Sequence, residues 1–184
     1  MATVGLRDLF IAKVTEHEEE PDTYGIPRRL AKMITVDLTP KTADGKLFAD
    51  DGVDDIVDEF ESGEIKLNIN DLATDDQAEL LGQEQDDDGV VYSSENDDPP
   101  YFAVGFRATK RGGRYRYVWL YKVKFAIPSE KYQTKGDKIE FNTPEIVGTF
   151  IKRPDGRWKA DYVGLPETTA AQNWFSEVRE RPIS

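Results

Sequence analysis

The 184-residue chain has no cysteine and a single histidine. Without thiols there is no disulfide framework, no thiolate metal site and no cysteine nucleophile, which fits folding in a reducing cytoplasm. The lone His17 lies among carboxylates in "TEHEEEPD", an expected turn where a solvated surface imidazole is the ordinary outcome. No run of residues approaches the roughly 20 apolar positions of a membrane span. The opening "MATVGLRDLF" lacks the basic segment and apolar stretch of a secretion signal, so we expect a soluble, unexported chain. Also missing are a Gly-rich phosphate loop, HExxH and GxSxG. Carboxylates abound, but pairs such as Asp54 and Asp58 recur all over an acidic surface and do not single out an acid/base couple. The letters single out no catalytic residue, and no cofactor is assigned to the chain.

Positive charge is in short supply: 24 basic residues face 36 acidic ones, a formal net charge of -12. A surface of that sign repels a polyanion, so affinity for DNA phosphates is not expected. The carboxylates cluster at Glu16 to Glu20, Asp50 to Glu64 and Glu84 to Asp98. In the last cluster, "EQDDDGVVYSSE" sets Glu84, Asp86, Asp88 and Glu95 at the first, third, fifth and twelfth positions of a calcium-type loop, with Gly89 sixth. The first ligand is Glu where Asp is usual, and "NDDPPY" places prolines where an exit helix belongs. An Asp-Gly hairpin explains the same letters, so no metal site is assigned there.

Short alternating runs punctuated by turn residues make up most of the remainder, and they point to a mainly β chain. Leu9, Ile11 and Lys13 alternate with Phe10, Ala12 and Val14, and a second run spans Ala31 to Leu38. "RYRYVWLYKVKF" interleaves cations with rings, as a nucleic-acid platform would. Strand geometry, however, sends Tyr115, Tyr117, Trp119, Tyr121, Val123 and Phe125 to one face and Arg114, Arg116, Val118, Leu120, Lys122 and Lys124 to the other, a mixed face expected to lie outside. A stacking groove needs both on one side, so an aromatic core face is expected. Thr39 to Gly52, with proline and two glycines, reads as a long exposed loop. A hairpin is expected about Ser62-Gly63. Its first arm, Asp54 to Glu61, has apolar residues on both faces, suits an edge or subunit contact, and leaves Val57 or Phe60 without an obvious internal partner. Thr74 to Leu81 should be a helix capped by Thr74, favoured by Asp75 and Asp76, and ended by Gly82. "KRGGRY" and "RPDGRW" should be turns. A β domain over 1–165 is followed by an extension over 166–184, where Thr168 can cap a helix whose stripe is Ala171, Trp174, Phe175 and Val178.

Three stretches, "VGLRDLFIAKVTE", "LFADDGVDDIVDEFESGEIKLNINDL" and "PPYFAVGFRATKRGGRYRYVWLYKVKFAIPSEKYQTKGDKIEFNTPEIVGTF", resemble in order and spacing the major tail proteins, or tail-tube proteins, of long-tailed bacteriophages infecting Gram-positive bacteria. That resemblance implies a β-sandwich or barrel-like subunit with a flanking helix. It also implies hexameric rings stacked into a tube around a tape-measure protein, with tail-terminator or baseplate proteins as further partners. Such a virion protein is assembled in the host cytoplasm, touches no membrane, and conducts DNA in transit without binding it specifically. Closed rings need a head-to-tail contact, and their stacking needs a second one. The candidates for contact between rings are Thr39, Lys41, Lys46, Asp50 and Asp51. Those for the lumen or a neighbouring subunit are Asp55, Val57, Glu59 and Glu61. Mutual repulsion of these carboxylates should make assembly strengthen with salt. The other class that fits the residues is a carbohydrate- or protein-binding β-sandwich module, which would stay monomeric and expose rings such as Tyr101, Tyr115 or Trp119.

Overall fold

The computed structural model describes residues 3–18, 21–49, 52–129 and 143–181, with side chains left out at 3–4, 44–49 and 52–58. The strands are β1 Thr3–Thr15, β2 Thr23–Tyr24, β3 Arg28–Ala31, β4 Met33–Ala49 and β5 Gly52–Ile69. Helix α1, Thr74–Leu81, is followed by β6 Glu84–Gln85, β7 Val91–Tyr92, β8 Tyr101–Lys110, β9 Tyr115–Phe125, β10 Glu145–Ile151, β11 Lys159–Gly164 and the short α2, Thr169–Gln172. Every strand pairing among the described residues is antiparallel. The main sheet runs β2-β1-β8-β9-β10-β5-β4, with β3 added on β1 and β11 on β9. Strand β3 pairs with β1, and β4, one residue later in the chain, pairs with β5. The chain from Arg28 onward thus joins the two edges and curls the sheet into a barrel, the mainly β architecture expected from the sequence. Asn70 pins that corner: its side chain accepts from the Lys32 N–H, and its own N–H donates to the Lys32 carbonyl, each at 2.9 Å.

Alternation along the strands fills the barrel. Leu9, Ile11, Ile65, Leu67, Phe102, Val104 and Leu120 are all buried in one cluster. Leu80 and Leu81 of α1 belong to it too, so the helix closes one end. Burying each such side chain contributes about 1.5–3 kcal/mol. α1 spans the predicted residues, with Asp75 and Asp76 in its first turn and Gly82 ending it at φ 65°. Its N-cap is Ala73, not Thr74, and no side chain caps it. Arg28 reaches over from β3 to Asp76 at 2.7 Å and to Glu79.

A second cluster lies outside the barrel, where Tyr117, Trp119 and Tyr121 pack against Ala171, Trp174 and Val178 of the C-terminal segment. The expected aromatic face is therefore buried, but it ends sooner than strict alternation implies. Phe102 faces Val123 and Val104 faces Leu120, so Tyr121 and Lys122 together oppose Ala103 in a β-bulge. Beyond the bulge the alternation is inverted: Val123 and Phe125 join the barrel interior. Lys122 and Lys124 come over to the tail side, where both ammonium groups lie near the Tyr101 ring.

Two expected turns are not turns. Thr39 to Ala49 is strand, not loop, paired with β5 as far as Ala49↔Gly52. Ser62-Gly63 lies within β5, between β4 and β10. The turn-forming letters have other causes. Pro40 is tolerated because β4 has no partner there on its far side among the described residues. Gly63 makes room for the Phe150 ring, which any Cβ there would strike. The expected turns at "QDDDGVVY", "KRGGRY" and "RPDGRW" do occur, with Gly89, Gly112 and Gly156 at φ of 84°, 78° and 81°. In the tail, Thr168 caps α2 as expected, its hydroxyl accepting from the Ala171 N–H, but the helix is only 4 residues long.

Candidate functional site

The largest departure from the expected layout is the β4–β5 hairpin. Partner β10 covers β5 from Ser62 to Asn68. From Gly52 to Glu61, β5 pairs only with β4 among the described residues, which leaves a free two-stranded ribbon. Ten residues at about 3.4 Å each give it a length on the order of 30 Å. Because β5 is antiparallel to β10, and β10 to β9, the ribbon points toward the end of the barrel where β9 begins.

Its root is an aromatic stack. Phe60 lies 4.5 Å from Trp158 at an interplanar angle of 7°, and 5.9 Å from Phe150. Phe60 thus has internal partners, contrary to the sequence expectation, because the loop after β10 returns Trp158 beside it. Of the described candidate contact residues, Lys46 lies on the β4 arm of the ribbon and Asp55, Val57, Glu59 and Glu61 on the facing β5 arm, while Thr39 and Lys41 precede the ribbon on β4, opposite Glu64 and Ser62. Lys46 is opposite Ile56, Leu47 opposite Asp55, Gly45 opposite Val57 and Ala43 opposite Glu59. Thr39, Lys41, Glu59 and Glu61 are exposed at its base. The side chains of Lys46, Asp55 and Val57, and all of Asp50 and Asp51, lie outside what the structure describes.

Opposite α1, the barrel mouth is open. A groove of about 690 Å³ runs between β4 and the strands β1, β8 and β9, lined by Leu6, Ile34, Leu38, Phe106, Val118 and Trp158 among others. Ile34 is 48% exposed on its wall. At the rim, Arg116 and Lys159 share one carboxylate, Asp161, at 2.6 Å each. Burial alone would raise the Asp161 carboxyl, but the hydrogen bonds and charges of Arg116 and Lys159 outweigh it and hold the group below the usual aspartate range. Two residues beyond Ala108↔Arg116 the β8–β9 turn begins. It carries Lys110, Arg111 and Arg114, none of them ion-paired among the described residues. Sequence reasoning named none of these residues as a site. The signal was present in "KRGGRYR", four cations in a chain of strongly negative balance.

The calcium-type loop is a hairpin. Asp86 accepts hydrogen bonds from the N–H of Asp88 at 3.0 Å, the N–H of Val90 at 2.8 Å and the Tyr92 hydroxyl at 2.9 Å. These donors, the Val90 amide foremost, pull its carboxyl below the usual range. Glu84 pairs with Tyr92 in the two-stranded β6–β7 sheet, and Asp88 and Glu95 are exposed. No group of three metal-ligating side chains occurs among the described residues. His17 is exposed, its Nε2 3.2 Å from the Thr23 hydroxyl.

On the barrel's outer face the C-terminal segment is fastened at three points. Trp119 Nε1 donates to the Trp174 carbonyl at 2.8 Å, and Tyr121 Oη to the Arg179 carbonyl at 2.7 Å. Buried Arg153 lies over the Tyr121 ring and bridges Asp155, Glu180 and the Tyr24 hydroxyl. Tyr115 is engaged by Arg107, 4.7 Å above its ring. Neither models of known protein families nor curated proteins match the chain.

Proposed function

We propose that the chain is a structural subunit that polymerises, as stacked sixfold rings, into the tail tube of a long-tailed bacteriophage, the conduit for DNA ejection. The observation that carries this reading is the β4–β5 ribbon, which extends past the end of β10 and whose two strands are longer than any other described strand. A two-stranded hairpin is at best marginally stable alone in water, so a ribbon of this length calls for a surface outside its own subunit. Reaching onto an adjacent copy makes a head-to-tail contact, which closes into rings or continues into filaments. The net charge of -12 suits a conduit, since weak repulsion keeps DNA from adhering to the wall. Tape-measure, terminator and baseplate proteins would be its further partners in the virion.

A glycan-binding module is less well supported. Trp119 is fully buried, and Tyr101 and Tyr115 are half-buried beneath cationic side chains. That leaves no aligned platform of open rings among them. Negative-stain electron microscopy of the concentrated protein tests the proposal. Tubes with a regular axial repeat are expected, and a field of single small particles at every concentration would overturn it.

A further inference from the structure

We infer that the cationic mouth of the barrel receives the acidic β4–β5 ribbon of a second copy of this chain. The inference rests on the self-assembly reading above and names the surface on the neighbouring subunit that takes the ribbon.

Two features make the mouth a receiver. The first is charge. Lys110, Arg111 and Arg114 crown the β8–β9 turn, and Arg116 and Lys159 have only Asp161 between them. Arg29 and Arg107 likewise share the single carboxylate of Asp8 on β1. In a chain of net charge -12 these cations gather a local positive patch around the groove, whose lining also includes the carboxylate of Asp37. The second feature is an apolar floor, since Ile34, Leu38, Phe106 and Val118 line a groove with nothing seated in it from the described chain. The backbone flanking that groove is open as well. Among the described residues, β4 from Ile34 to Pro40 pairs only with β5, and β1 from Thr3 to Arg7 pairs only with β8. Two strand edges therefore have hydrogen-bonding groups to offer an incoming strand.

The ribbon has the matching composition. Within its described strands the sequence carries Asp44, Asp54, Asp55, Asp58, Glu59 and Glu61 against the one lysine, Lys46. Leu47, Phe48, Val53, Ile56 and Val57 are interspersed with them. Acidic and apolar residues on an extended hairpin complement cations around an apolar groove, and opposite potentials fix partner and register. Ribbon and mouth lie at the same end of the barrel, so like-oriented copies side by side can each pass a ribbon to the next. That is the head-to-tail arrangement of a closed ring. The basic rim also reverses the salt dependence expected from the acidic strand alone: attraction across the contact is screened as salt rises.

Sedimentation velocity, with electron microscopy of the same samples, tests the inference. The rim-reversed variant carries Lys110→Glu, Arg111→Glu and Arg114→Glu; the ribbon-reversed variant carries Asp54→Lys, Asp55→Lys and Asp58→Lys. Each alone should need a roughly tenfold or higher concentration to associate. An equimolar mixture should recover association, because every ribbon then meets a rim of opposite sign. Circular dichroism melts establish that both variants fold. Should either fail to fold, the wild type still decides: its association should fall between about 0.05 M and about 1 M salt. Association that rises with salt, reversals without effect, or a mixture that does not recover would overturn the inference even if wild-type tubes form. Small oligomers that obey the charge swap but never build tubes would uphold the inference and sink the tube. A wild type that never self-associates would end both.

Discussion

The Trp119 indole lies against Gly105, its partner on the adjacent strand, so closely that a Cβ on Gly105 would sit 2.6 Å from the ring. The indole fills the volume a side chain at 105 would occupy, while its Nε1 holds the C-terminal segment through Trp174. Gly105→Ala should cost about 1–3 kcal/mol by overpacking. Trp119→Ala should cost about 3–5 kcal/mol, having lost a fully buried ring and the bond to the tail. Denaturant melts measure both. A wild-type midpoint for Trp119→Ala, with a solvated indole in the parent's fluorescence, would contradict this packing.

Phe60→Ala is expected to destabilise the subunit by about 1–3 kcal/mol, since it removes one ring of the mutually stacked trio it forms with Trp158 and Phe150 where the ribbon leaves the barrel. Chemical denaturation gives the loss. An unchanged midpoint would mean that the ribbon root is not anchored as described.

Acid should loosen β11. Asp161 ties Arg116 of β9 to Lys159 of β11, and its carboxyl is held below the ordinary value near 3.9. A depressed carboxylate contributes stability that is complete above the unfolded-state value and is lost as pH falls through the folded one. Asp161→Asn should therefore lower the melting temperature at neutral pH and flatten its decline below about pH 4. Parallel declines in the variant and the parent would exclude this group.

Calcium should not bind at Glu84 to Glu95 with micromolar affinity. Both Asp86 oxygens are occupied by donors of its own hairpin, and a cation would have to displace them. Calorimetric titration checks this. A micromolar site abolished by Glu95→Gln would refute it.

Much of the barrel was legible in the sequence because period-two alternation, Asp-Gly and Gly-Gly turns and the Gly82 stop are local signals. What stayed hidden depends on distant partners. Gly63 looks like a turn residue until Phe150 is brought against it from β10. Pro40 looks like a loop residue until β4 proves to pair there, among the described residues, on one side only. The bulge at Tyr121 and Lys122 leaves no mark in the run itself and exists only relative to Ala103. For the site, the acidic composition of the ribbon was visible, but its geometry was mistaken for a loop joined to a separate hairpin. The cationic mouth was missed because Arg116 and Lys159 are 43 positions apart and meet only through the β9–β11 pairing.

The central claim, assembly through the ribbon, is tested most directly by imaging the wild type beside a variant in which residues 44–58 are replaced by Asn-Gly. Ala43 and Glu59 face each other, so a two-residue turn closes the shortened hairpin in register. The account predicts regular tubes from the wild type and a folded subunit without tubes from the variant under negative stain. Normal tubes from the shortened protein, or none from the wild type at any concentration, would contradict it.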